Sequence, residues 1–458
     1  MTSYSSIAAQ VASGTTAFDL ADGDALVLTV DEAQTLVASG VTFAAGDAVS
    51  IADLADNVEA LSESEITALG TLGVSTVLGT DAQLGLSLTQ LAAFSSGGIA
   101  VSSEYATFSE VASEAPVNTA TVGYQNMDET TLLSDGSYII TWRSNVSGDN
   151  EIHAQIYDAD GNEVGTNLTL AETDYNFGNS GTIALADGGF AFYWAEYTSG
   201  LAAQNIYVTY HDAAGNVLTG PITVSPEPGY KMYVEGVQLD DGSLAFTWSD
   251  GSGVGHAQVV DETGALVGPD NQLATTVGYS FDGTSTCALS DGSFVTTFRA
   301  YDDDGWDIFY QIVDASGVDV GTPVQVNSYA TGNQADPAIT LLANGGFVIA
   351  WRGEYATDSE GVIQRVYDSA GNVLSDDIVV TTTTNDVDEL TVTALTGGGF
   401  VTIWTTAVLN SGDSFASSDI QMTVSDADGD LVTGVITVNS WLTGPQASYD
   451  VTTLPDGG

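Results

Sequence analysis

The sequence predicts a mainly β protein: a repeat β-propeller of about seven four-stranded blades, incomplete as the chain stands, behind a small N-terminal α/β repeat module. Three observations carry it. A turn motif returns at nearly constant spacing, a second turn motif falls inside each unit, and successive units leave room for four short strands.

The first motif reads Leu133-Ser134-Asp135-Gly136-Ser137-Tyr138 and leads to Trp142. It recurs from Leu185 to Trp194, Leu239 to Trp248, Leu289 to Phe298, Leu342 to Trp351 and Leu395 to Trp404, and starts again at Leu454-Pro455-Asp456-Gly457-Gly458. Its glycines at 136, 188, 242, 292, 345, 398 and 457 are spaced by 52, 54, 50, 53, 53 and 59 residues. The second motif appears as Asp158-Ala159-Asp160-Gly161-Asn162, Asp212 to Asn216, Asp261 to Gly264, Asp314 to Gly317, Asp368 to Asn372 and Asp426-Ala427-Asp428-Gly429-Asp430. Both have the chemistry of tight turns, in which Asp or Asn bonds its own backbone and Gly supplies a positive φ. Between them, Phe347 to Trp351 is apolar on both faces, and Val362 to Tyr367, Asp377 to Val380 and Leu390 to Leu395 complete four strands. The aromatics Trp142, Trp194, Trp248, Phe298, Trp351 and Trp404 recur at one position per unit, as core residues between blades do.

The spacing also suggests a phase. Residues 106–111 and 125–133 read as the last two strands of a blade, six full units follow, and strands beyond Gly458 would close a ring of seven. On this expectation the chain is a fragment of a longer protein, divided into an α/β module at 1–100 and a propeller-like domain at 101–458. The first hundred residues carry helical patterns at Ala52 to Leu61 and a capping-box start at Ser62-Glu63-Ser64-Glu65, and Leu28 to Leu36 returns 58 residues on at Leu86 to Phe94.

Charge excludes some partners. With 61 Asp and Glu against 5 Lys and Arg, the formal charge is −56, so the surface repels phosphate backbones and anionic headgroups and nucleic acid is not a partner. Such a surface favours counterions, with calcium the natural divalent choice. One cysteine, Cys287, allows no intrachain disulfide. Residues 1–10 have no basic then apolar pattern of a Sec signal, and no apolar run reaches the roughly 20 residues of a membrane span, so membrane insertion is not expected.

The motifs carry a family resemblance. Leu342 to Trp351, Asp368 to Val373 and Thr322 to Asn327 resemble repeats of RTX-type (hemolysin-type calcium-binding) secreted and surface adhesins of proteobacteria, and the N-terminal stretches Ala60 to Ser62 and Leu69 to Val74 are similar to helical repeats of such proteins. The resemblance implies an extracellular or cell-surface location, type I secretion and an adhesive or structural role. The sequence departs from the family in having no Gly-Gly-x-Gly-x-Asp nonapeptide array, so no calcium roll is implied.

The metal candidates are Asp158, Asp160, Asn162, Asp426, Asp428 and Asp430, which place oxygen ligands on alternate residues around a glycine, as calcium loops do. Neither loop has the distal glutamate of an EF-hand, and the other four units replace the middle acid yet keep the turn, which favours a β-turn first and calcium second. Asp302-Asp303-Asp304-Gly305 with Asp307 is a further oxygen cluster. His153, His211 and His256 share no spacing and indicate neither zinc nor a triad. Arg143, Arg299 and Arg352 each follow a blade aromatic and are candidates for binding or for structural ion pairs. No insertion breaks the repeat, so the expectation is a calcium-stabilised extracellular protein, not an enzyme, whose partner is a glycan or a protein surface. The alternative is a secreted propeller hydrolase or lyase acting on polysaccharide.

Overall fold

The computed structural model describes residues 4–20, 25–44, 47–54, 57–58, 60–79, 84–86, 90, 93–94, 96–101, 106–107, 117, 125–145, 150–159, 161–173, 176–197, 204–227, 229–273, 282–301, 305–329, 332–355, 360–383, 386–395, 398–409, 415–438 and 451–452.

Toward the N-terminus the strands Ala25–Leu28, Ala48–Asp53, Val74–Gly79 and Ala100–Val101 form one parallel sheet, each paired with the next. Partners such as Ala25 with Ala48, Val49 with Val74 and Thr76 with Ala100 show a repeat of about 23 to 25 residues, shorter than the 58-residue return in the sequence. Leu26 with Leu28 and Val49 with Ile51 face one core, because alternate residues of a strand share a face, and the register shift after Val74 brings Val77 to the same core. The helices Val30–Ala38 and Glu63–Leu72 cover it with Ala33, Leu36, Ile66, Leu69 and Leu72. The capping box at Ser62 is present, with Glu65 Oε2 accepting from Ser62 N at 2.9 Å, and Thr29 with Glu32 forms a second one. The helical pattern expected at Ala52 to Leu61 is met in part: Asn57 and Val58 are helical, whereas Ala52 and Asp53 extend a strand, and the Asp53 carboxylate accepts from Val30 N at 2.8 Å and from the Asn57 amide at 2.9 Å.

From residue 125 to 437 the chain builds six antiparallel four-stranded sheets, each from four consecutive strands. The fourth runs through Asp282–Ala288, Phe294–Tyr301, Trp306–Val313 and Asp319–Gln325; the fifth through Gln334–Leu341, Phe347–Glu354, Glu360–Tyr367 and Ile378–Thr383. The first strand of every sheet lies beside the first strand of the next, so the sheets succeed one another as the blades of a propeller-like array. Burial follows. In the third blade every residue of Leu244–Ser249 and Gly255–Val260 is buried, whereas the outer strand Val217–Thr223 of the second blade is largely exposed. The recurrent aromatics are core: Trp248, Trp351 and Trp404 are fully buried, and Trp248 stacks on its cross-strand partner His256 at 5.4 Å.

The phase expected from sequence is corrected. Gln125–Leu132 is the first strand of the first blade, paired with Tyr138–Ser144, and Ala106–Thr107 pairs with Leu84–Gly85 instead of joining a blade. The reason is the turn itself. Leu133 N donates to Ser137 O at 2.7 Å and Gly136 N to Leu133 O at 3.0 Å, with Gly136 at φ 87°, which closes a hairpin between two strands of one sheet. The motif therefore sits inside a blade, after its first strand. Residues 108–111 and the seventh turn at 454–458 lie outside the described residues.

Inner strands are also tied blade to blade. Each of those in blades 3 to 6 slips register early, at a residue in the left-handed region: Tyr233 (φ 52°), Gly283 (φ 59°), Asp336 (φ 49°) and Glu389 (φ 43°). The freed groups reach the neighbouring blade, as where Tyr233 N donates to Asn179 Oδ1 at 3.0 Å and Thr284 Oγ1 donates to Tyr233 O at 2.7 Å.

Candidate functional site

The hairpins joining second to third strands point away from the Leu-x-Asp-Gly turns, and at that end the repeat is broken by substitution. Three residues past the blade aromatic stand Asn145, Tyr197, Gly251, Tyr301, Glu354 and Ala407, so blade 5 alone has an acid there. Antiparallel register sets Tyr301 opposite Trp306 in blade 4 and Glu354 opposite Glu360 in blade 5. One position of the fold thus supplies an aromatic pair and, next door, a carboxylate pair.

Trp306 and both glutamates line one cleft of about 510 Å³, together with Arg299, Asn333 and Arg352. Arg299 lies over the Trp306 ring with its guanidinium carbon 4.7 Å from the centroid, and Tyr301, 53% exposed, packs edge-on to the same ring at 5.3 Å. Arg352 donates through Nε to Asp336 and, from a second nitrogen 3.1 Å away, to Glu360 Oε1. Burial works against the charge of Arg352, but the bonds to Asp336 and Glu360 outweigh it and hold its pKa above the ordinary arginine value. Glu360 Oε2 also accepts from Val387 N at 3.4 Å. Glu354 is held by its backbone: its N–H donates to Asn333 O at 3.2 Å and its carbonyl accepts from Gln334 Nε2 at 3.1 Å. Its carboxylate is exposed, and among the described residues no cation lies within ion-pair distance of it. Asp336 is one of the left-handed bulge residues, an uncommon backbone state for a residue with a side chain, and it anchors the arginine that positions Glu360.

A second polar cluster lies in blade 3. Lys231, the only lysine, is 4% exposed and donates to Glu227 O at 3.1 Å; His256 lies 2.8 Å from Asp270 and 3.5 Å from Asp250. Burial lowers the Lys231 pKa against the pull of Asp270, Asp250 and Glu227. These groups bond one another and fasten the connection between blades 2 and 3. A cavity of about 590 Å³ at the opposite end of blades 4 and 5 is lined by turn residues; there the Asp291 and Asp314 carboxylates are taken up by Ser293 and Ser316, whose bonds lower their pKa values.

Of the expected ligands, Asp158 accepts from Asn162 N at 2.8 Å and from the Asn162 amide at 3.0 Å, so the loop is an Asx turn closed on itself; Asp160 lies outside the described residues. In blade 6, Asp426 accepts from Asp428 N at 3.1 Å and Asp430 N at 2.9 Å, and the side chains of Asp428 and Asp430 are exposed. Burial first, then the neighbouring Asp430 and Asp428 charges, raise the Asp426 pKa even as those backbone bonds lower it. Among the described residues no three His, Cys, Asp or Glu side chains converge as a metal site. Asp302, Asp303 and Asp304 fall outside them. Asp430→Asn restores the amide that Asn162, Asn216 and Asn372 use to bond their turn aspartates. It is expected to stabilise the protein by about 0.5–1.5 kcal/mol in EGTA. Thermal melts in EGTA, CaCl2 and ionic-strength-matched NaCl check this; a calcium-specific rise that Asp430→Asn removes would instead assign the loop to the metal.

The arginines divide. Arg299 and Arg352 line the cleft, while Arg143 bonds the Phe177 and Gly178 carbonyls and Ser180 and serves the fold. Trp306, Glu354, Glu360 and Asp336 were not singled out by sequence reasoning. The signal was there in the comparison of equivalent positions past each blade aromatic, as a substitution and not an insertion.

No family model and no curated protein matches the chain. Solved structures similar to it include a protein of unknown function from Dyadobacter fermentans (12% identity, TM-score 0.43, covering 66% of this chain and 93% of that one). They also include an α-L-arabinofuranosidase from Fusarium graminearum (11%, 0.43, 66% and 92%) and an ulvan lyase (10%, 0.42, 69% and 86%). The expectation that the chain is not an enzyme is corrected by these neighbours, among which stand an arabinofuranosidase from Lactobacillus brevis and an endo-arabinase from Bacteroides thetaiotaomicron as well. None of them assigns a substrate to this chain. Among the described residues no helix is long and apolar enough to cross a membrane.

Proposed function

We propose that the chain is an extracellular propeller that acts on polysaccharide, hydrolysing glycosidic bonds in the cleft between blades 4 and 5. The observation that carries this is the carboxylate pair Glu354 and Glu360, set opposite one another by register, with one of the two held by Arg352 and the other free of cations, beside the aromatic pair Tyr301 and Trp306. Two carboxyl groups in unlike settings are what glycoside hydrolysis requires, and an aromatic face is what a sugar ring packs on.

Directly opposed strand residues hold their Cβ atoms about 4.5–5.5 Å apart. That closeness suits a double displacement over a mechanism that seats a water between the carboxyls. Glu360, oriented by Arg352, attacks the anomeric carbon; the bond to the leaving oxygen breaks, and that oxygen takes the proton of Glu354. Water then gives a proton to Glu354 and bonds to the anomeric carbon, which releases Glu360. The anomeric configuration is retained.

A seventh turn motif at Leu454–Gly458 continues the series and supports a seventh blade. The acidic composition and the resemblance to RTX-type surface proteins support an extracellular setting. The test is release of new reducing ends from uncharged polysaccharides, followed by proton NMR of the first product. A retained anomer is expected. No release from any polymer in a broad panel, with folded protein, would end this reading.

A further inference from the structure

The cleft has a neighbour. A cavity of about 490 Å³ is lined by Ser328, Tyr329, Tyr355, Asp376 and Asp377. Tyr355 follows Glu354 directly in the chain, so the two hollows are lined by adjacent residues of blade 5. The tyrosine rings are half-buried, 6.0 Å apart and tilted by 46°, and both line the cavity. The floor is rigid. Arg365, 8% exposed, pairs with Asp377 and donates to Val326 O and Ser328 Oγ, and Ser328 N donates to Asp377 Oδ2 at 2.9 Å. Asp376 at the rim is exposed and can accept from a hydroxyl group.

Charge decides the class of ligand. Around the two hollows stand five carboxylates, Asp336, Glu354, Glu360, Asp376 and Asp377, against three guanidiniums, Arg299, Arg352 and Arg365. On a chain of formal charge −56 this surface repels a polyanion at any ionic strength that does not screen it fully. Hydroxyl groups, by contrast, donate readily to carboxylates and pack their C–H faces on aromatic rings.

We infer that Tyr329 and Tyr355 form a second sugar platform, and that the substrate is an uncharged polysaccharide long enough to occupy this platform and the Glu354–Glu360 cleft at once. This rests on the hydrolytic reading above and deepens it: the protein grips an internal stretch of chain, not its end. A short substrate fills the cleft alone and is indifferent to the tyrosines.

The experiment is affinity electrophoresis in gels containing linear arabinan, xylan, laminarin, polygalacturonate or alginate, together with hydrolysis of the polymer that retards the protein and of its disaccharide. The wild type is expected to be retarded by an uncharged polymer and by neither polyuronate. Tyr329→Ala with Tyr355→Ala is expected to weaken polymer binding about tenfold and raise KM for the polymer alike, with disaccharide hydrolysis unchanged. Tyr355→Phe keeps the ring and should bind as the wild type does, which separates a platform from a fold defect. Retardation of the double variant equal to wild type overturns the platform while leaving the hydrolytic reading intact. Tightest retardation by a polyuronate overturns the uncharged class. No retardation by any polymer and no hydrolysis overturns both.

Discussion

Glu360→Gln is expected to lower polysaccharide hydrolysis by roughly 10³-fold or more, the scale of losing a group that acts directly in bond cleavage. The amide keeps one acceptor oxygen for Arg352 and gives up only the long 3.4 Å bond from Val387 N–H, and Arg352 retains Asp336, so the hairpin should stay in place. A melting midpoint close to wild type beside a lost rate would show that the defect is chemical. Glu354→Gln is expected to behave differently in one respect. Its role is to protonate the leaving oxygen, so an aryl glycoside whose leaving group needs no proton should still be cleaved in the first step and stall before water attack. Equal losses on both substrates would assign Glu354 to positioning, and an unchanged rate in Glu360→Gln would remove the pair from the mechanism.

Trp351→Ala is expected to cost about 3–5 kcal/mol of stability, as truncation of a large buried aromatic does. The ring is 1% exposed among Ile339, Ile349 and Ile363, and its Nε1 donates to Gln334 Oε1 at 3.2 Å. Gln334 in turn donates to the Glu354 carbonyl, and Gly353 leaves the space it occupies: a Cβ there would stand 2.0 Å from Gln334 Oε1. The blade core is therefore coupled to the cleft. Trp351→Phe should cost more than Trp248→Phe, because the buried indole N–H of Trp248 has no hydrogen-bond partner to lose and that of Trp351 does. Urea unfolding of the three variants measures this; equal costs for the two phenylalanine changes would refute the role given to Gln334.

Much of the fold was legible because repetition averages out the ambiguity of single strands. Leucine and glycine recur at one place in each unit, with aspartate before the glycine in the first four, for a reason visible in the turn: the leucine is buried, the glycine takes φ of 83–99°, and the aspartate accepts from the residue two places on. Phase was not legible, since a period alone does not say whether a turn lies within a sheet or between two. The pairing of Gln125–Leu132 with Tyr138–Ser144 decides it. The parallel sheet of the first hundred residues hid its shorter repeat because its strands are only two to six residues long and share no turn motif. The cleft hid for another reason. Glu354 and Glu360 are six residues apart in an acid-rich chain and mean nothing until register makes them opposite, and Tyr301 with Trp306 until blade 4 is laid against blade 5. The loops flagged for calcium were chosen by composition, and in the first of them the side-chain bonds close on the turn.

Each blade is made of four strands that follow one another in the chain and packs against the blades before and after it. Nearly all pairing is thus local in sequence, so the loop-closure entropy of one blade is that of some fifty residues, whatever the length of the whole array. Such a chain can fold in the order in which it emerges, each finished blade serving as the template for the next. The same economy makes repeats easy to gain or lose by duplication, while chemistry is confined to the few positions where neighbouring copies have diverged.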